Sequence, residues 1–104
     1  MDIQKICKAL ANDTRRRILV WLRNPGENFP PQGESLAEPV DLRGGVCVSS
    51  IQEKARVSQS TMSTYLDILL QAELVESERH GKWTYFRRNE ATIQAFAQYI
   101  REKL

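Results

Sequence analysis

The stretch from Val48 to Arg88 constrains what this chain can fold into more than any other. A short helical segment ends at the polar turn Arg56-Val57-Ser58, and a second helix follows with Gln59, Ser60, Ser63 and Thr64 at spacings that share one face. Ser58 is placed to cap that helix, because its hydroxyl accepts from amides that a first turn leaves without partners. Met62, Leu66, Leu69 and Leu70 supply the inward stripe and predict a helix to about Ala72. At Leu74-Val75 the apolar period changes to two. Trp83-Thr84-Tyr85-Phe86 answers it across His80-Gly81, whose glycine permits the positive φ of a tight hairpin.

Periodic segments flank this unit on both sides. From Ile3, the residues Ile6, Cys7 and Leu10 follow at helical steps. Asn12 or Asp13 then caps a second helix with Ile18, Leu19 and Leu22 inward. Arg15, Arg16 and Arg17 ride in its first turn, where a helix dipole does not favour cations; they read as a solvated face or as phosphate contacts. Val46-Cys47-Val48 is β-prone, and Ser49 or Ser50 is expected to cap the helix that runs to about Ala55. Asn89 caps a last helix with the stripe Ile93, Phe96, Ala97, Ile100 and Leu104.

All four prolines and four of the five glycines lie between residues 25 and 45, which predicts a long loop inserted in a single domain spanning 1–104. Phe29-Pro30-Pro31 and the acids of this loop suit a ligand lid, a partner site or, as the default, a disordered insertion. Its Glu27, Glu34, Glu38 and Asp41 against Arg43 leave it at net −3, so the +2 of the whole chain places +5 on the remainder. The basic surface therefore belongs to the periodic part. A chain of 104 residues, 41% hydrophobic, buries one modest core, and such a domain often completes it by pairing with a second copy. Two cysteines, no apolar leader and no run near the roughly 20 residues of a membrane span predict a reducing, cytoplasmic setting without membrane contact.

Small hydroxyl and amide side chains at the start of a helix let its backbone approach base edges in a major groove. The expected interface with double-stranded DNA comprises Arg56, Gln59, Ser60, Thr61, Ser63, Thr64 and Tyr65 around the second helix of the pair, with Arg79 and Lys82 on the hairpin tip. Asp67 continues the polar face but would be repelled by phosphate, so contact should end before it. Trp83 and Tyr85 read as core aromatics more readily than as stacking platforms, and Arg87 and Arg88 as phosphate contacts or solvated charges. One histidine at a loop tip and no paired carboxylates assemble no catalytic constellation, so an enzyme is not expected.

The segments Leu10–Leu19, Val57–Leu66, Glu73-Leu74-Val75 and Gly81–Phe86 together resemble the ArsR/SmtB family of bacterial winged helix-turn-helix repressors. The resemblance implies a mainly α fold in the order α-α-(β)-α-α-β-β-α. It also implies a homodimer joined through the first and last helices, and release of a partly palindromic operator when a signal arrives. Metal-sensing members carry a Cys-Val-Cys box where this chain reads Cys47-Val48-Ser49, and a second family site uses aspartate and histidine where Thr92–Leu104 has neither. No metal or cofactor is therefore expected, while Cys7 and Cys47 stay candidates for a thiol switch, with a small-molecule effector or a protein-interaction module as alternatives.

Overall fold

The computed structural model describes all 104 residues. Its elements are α1 (Ile3–Leu10), α2 (Asp13–Arg23), α3 (Pro25–Asn28), β1 (Val46–Cys47), α4 (Val48–Ala55), α5 (Gln59–Gln71), β2 (Val75–His80), β3 (Trp83–Arg88) and α6 (Glu90–Lys103). Side-chain caps set four of the helix starts: Asp2 accepts from the Lys5 amide, Asn12 from Arg15, Ser58 from Thr61 and Asn89 from Thr92.

Helix α4 departs from expectation. It begins at Val48 with no side-chain cap, and Ser49 and Ser50 lie inside its first turn. The cause is the strand before it: Val46 pairs with Phe86 and Cys47 with Tyr85, so the chain passes from ladder to helix without a free capping position. Helix α4 ends on Arg56, which adopts the left-handed conformation (φ 56°) and donates its amide to Gln52.

The three strands form an antiparallel sheet in the order β1-β3-β2, so the hairpin has a third strand beside it. Val75 faces Arg88 and His80 faces Trp83, which leaves Gly81-Lys82 as a two-residue turn. Gly81 takes φ +62° and Lys82 stays negative, the type II′ pattern that matches the twist of the strands.

Ile6, Ile18, Val46, Ile51, Met62 and Leu69 are fully buried where α1, α2, α4 and α5 meet the sheet. Fully burying a side chain of this size contributes about 1.5–3 kcal/mol. The 25–45 segment does not hang free of this core, contrary to a disordered insertion. It opens with the single turn α3, and Phe29 is buried edge-on against Trp21. The Gln32 side chain accepts from the Cys47 amide at 2.8 Å and donates to Ser50 Oγ at 3.2 Å. Gly45 is buried so closely against Tyr85 that a Cβ there would sit 3.1 Å from that side chain and 2.9 Å from the Leu42 carbonyl.

Candidate nucleic-acid interface

Helix α5 is amphipathic as its spacing predicts. Gln59, Ser60, Ser63 and Thr64 are exposed, while Met62, Leu66 and Leu69 are buried on the opposite side. Its first turn holds no acidic residue, so the partial positive charge of the helix start is uncancelled on the face that carries the hydroxyls. Ser58 Oγ accepts the Thr61 amide at 3.1 Å and lies 3.0 Å from Thr61 Oγ1 and 3.2 Å from Ser60 Oγ, a hydroxyl cluster that fixes the turn. Arg56 is exposed in that turn, and Asp67 is exposed one turn beyond Ser63 and Thr64.

Tyr65 faces inward rather than outward. It is half-buried, its hydroxyl accepts from Asn12 Nδ2 at 3.3 Å, and the Arg15 guanidinium lies 5.1 Å from its ring centroid. Arg15 is 8% exposed; its Nε donates to the Ala9 carbonyl at 2.8 Å and its Nη2 to the Lys8 carbonyl at 2.9 Å. It is thus neither a solvated charge nor a phosphate contact, but a clamp joining the end of α1, the start of α2 and α5. The sequence held a signal for this, since Arg15 falls in phase with Ile18, Leu19 and Leu22. Arg16 and Arg17 are exposed and pair with Asp13 at 3.6 and 3.0 Å.

On the hairpin, Lys82 is exposed with its ammonium 5.1 Å from the Trp83 ring centroid, and Arg79 Nε donates to the Gly81 carbonyl at 2.9 Å. Arg87 and Arg88 are withdrawn from both expected roles. Arg87 is held between Glu76 and Glu78, and Arg88 bonds Glu90 at 2.6 Å and the Leu19 carbonyl at 3.2 Å. Glu78 gathers Arg43 at 2.6 Å and His80 on its two oxygens. These hydrogen bonds, Arg43 first, bring its carboxyl down to about 2 and raise the Arg43 guanidinium in turn. Tyr85 is buried, which pushes its hydroxyl up, with the Cys47 thiol beside it adding to the shift. Cys7 is exposed on α1, packed with α2 and α5, and Cys47 is half-buried on β1, packed with β3 and α4; both are free thiols. Sequence reasoning missed Arg15, Phe29, Gln32 and Arg43 as residues that hold the interface in place.

A helix-turn-helix with a small polar outer face, followed by a basic-tipped β-hairpin, defines a winged helix-turn-helix DNA-binding domain. Residues 42–77 match the family model described as bacterial regulatory protein, arsR family. Over 105 aligned positions covering all of both chains, the protein is 41% identical to the uncharacterized HTH-type transcriptional regulator YbzH of Bacillus subtilis. A crystal structure of an ArsR family transcriptional regulator superposes with a TM-score of 0.71 at 17% identity, over 97% of this chain and 84% of the other. The homodimeric winged helix-turn-helix DNA-binding domain of a possible ArsR-family regulator from Mycobacterium bovis gives 0.63 at 25% identity, over 97% and 79%. The chain belongs to the ArsR family and is a DNA-binding transcriptional regulator.

Proposed function

We propose that this protein is one domain that acts as a homodimeric repressor, placing α5 of each copy in a major groove of a partly palindromic operator, with its hairpins along the backbone or minor groove. The observation that carries the reading is the exposed face of Gln59, Ser60, Ser63 and Thr64 on a helix anchored by Met62, Leu66 and Leu69. Gln59 has the donor and acceptor to bond adenine in bidentate fashion, worth roughly 1–3 kcal/mol of discrimination. Arg56 and Lys82, exposed and paired with no carboxylate, supply backbone contacts; Arg79 does so with the donors that Gly81 leaves free. Thr61, bonded to Ser58 at the surface, fixes the start of the reading helix, and Tyr65 ties that helix to Asn12 at the start of α2.

Pairing of two copies is supported by α6, which buries none of its residues in one copy. Ile93 and Phe96 pack on the core, whereas Ile100 is 45% and Leu104 87% exposed. The similarity to a homodimeric domain from Mycobacterium bovis points the same way. Ser49 stands where metal-sensing relatives of the family have the second cysteine of their box, so the proposed repressor does not use a metal at that site. A protein that works on DNA belongs in the cytoplasm, and no helix of the structure is long and apolar enough to cross a membrane.

The test is Ser60→Glu with Ser63→Glu, which puts two carboxylates against the phosphates. Mobility shift on fragments selected from a random duplex pool should show binding abolished while sedimentation still reports the dimer. Undiminished affinity removes these residues from the reading role. Binding by the parent protein should weaken with salt by a slope of about 0.9 per neutralised phosphate.

A further inference from the structure

The 25–45 segment is the largest feature the DNA-binding reading leaves unused, and its contacts converge on the hairpin. Phe29 and Gln32 root its first half in the core and on the start of α4. Its return runs against Tyr85 of β3 at Gly45, and Arg43, its one cation, reaches across to Glu78 of β2 at 2.6 Å. Glu78 is joined there by His80 and Arg87, so a single carboxylate connects the insertion to both strands of the hairpin.

The backbone at Arg43 adds an independent observation. Arg43 adopts φ +52°, a left-handed conformation that glycine or asparagine takes at less expense in energy, and its amide is held by Asp41 Oδ1 at 2.9 Å. Strain of this kind persists only where the surroundings over-determine it. Here the strained residue is the one whose guanidinium reaches Glu78, although 58% of its side chain stays exposed. The remaining charged groups of the insertion, Glu27, Glu34, Glu38 and Asp41, are exposed acids that phosphate would repel.

We infer that the 25–45 insertion is a brace for the wing, and that Arg43 is a positioning residue that sets the hairpin on DNA through Glu78 without touching DNA itself. This rests on the reading that the hairpin contacts DNA. The insertion bonds β2 at Glu78 and α4 at Ser50, and so adds a tie between the reading helix pair and the wing to the direct packing of α5 on β2 and of α4 on β3.

The experiment compares four full-length variants, Arg43→Asn, Arg43→Lys, Lys82→Gln and the double Arg43→Asn/Lys82→Gln, by affinity for a selected duplex across a salt series. Asparagine tolerates the left-handed backbone, so Arg43→Asn removes the ion pair without adding strain. Lys82→Gln should lower the slope of log K against log salt by about 0.9. Arg43→Asn should weaken binding about two- to fivefold, the range of a partly exposed pair, and lower the slope similarly. Arg43→Lys should restore most of the loss, because an ammonium still reaches Glu78. The double variant should lose little beyond Lys82→Gln, since an unbraced wing and a wing without its contact fail alike. Losses that add in full would make Arg43 a direct phosphate contact and overturn the brace. Unchanged affinity in Arg43→Asn, with Lys82→Gln weakened, would overturn it too. If Lys82→Gln itself binds as the parent does, the wing reading fails and the brace with it.

Discussion

Replacing Arg15 by alanine tests the least expected feature of the interface. Arg15 is 8% exposed and its guanidinium meets no carboxylate; the carbonyls of Lys8 and Ala9 hold it at the negative end of the α1 dipole. Each charge-assisted hydrogen bond contributes about 1.5–3 kcal/mol. The Tyr65 ring beneath adds about 0.5–2 kcal/mol. Two terms offset these: the Lys8 carbonyl is only part-buried and regains water, and the variant escapes the desolvation of a buried charge. The net loss comes to about 3 kcal/mol. With a urea slope of about 1.5 kcal/mol per molar, the unfolding midpoint falls by about 2 M at fixed protein concentration. Arg17→Ala is the internal control. Its side chain is 63% exposed and pairs with Asp13 alone, so the change stays below about 0.5 kcal/mol, whereas Arg16 also donates to the Leu10 carbonyl and is no neutral comparison. An Arg15→Ala midpoint indistinguishable from that of Arg17→Ala would refute the clamp.

Two further outcomes follow from the charges and from the last helix. The Glu78 carboxyl, lowered from 4.5 to about 2, lends stability that is complete above the unfolded value and fades as pH falls through the folded one. The advantage of the parent over Glu78→Gln should hold steady above about pH 4.5 and shrink towards pH 2, and acid unfolding curves that keep a constant separation would contradict this. Ile100→Glu places a charge on the exposed stripe of α6 and should shift sedimentation from dimer to monomer with α1–α5 still folded; a persisting dimer would move the interface elsewhere.

The local chemistry of the chain was legible wherever a boundary depends on neighbours in sequence. Asn12, Ser58 and Asn89 cap as expected because a cap bond spans three residues. The inward stripe of α5 and the hairpin at Gly81 follow from periods of a few residues. What escaped was set across the fold. Ser49 and Ser50 look like caps, yet pairing of Val46 and Cys47 with β3 pulls the helix start forward. Arg15, Arg16 and Arg17 are chemically identical, and only their phase relative to Ile18 and Leu22 separates the buried one from its neighbours. Arg87 and Arg88 look free until β2 and α6 bring Glu76, Glu78 and Glu90 to them. Phe29, Gln32 and Arg43 sit in a stretch with no period, and their partners Trp21, Ser50 and Glu78 are reached only by tertiary contact.

Helix α6 shows where this architecture is least self-sufficient, since its outer half has nothing to rest against in one copy. For the proposed dimer, completing that helix and finding a second molecule become one equilibrium. Occupancy of an operator then rises with more than the first power of protein abundance, because each new copy both supplies a half-site reader and finishes the fold of another. A regulator built this way stays nearly silent when scarce and commits over a narrow span of expression.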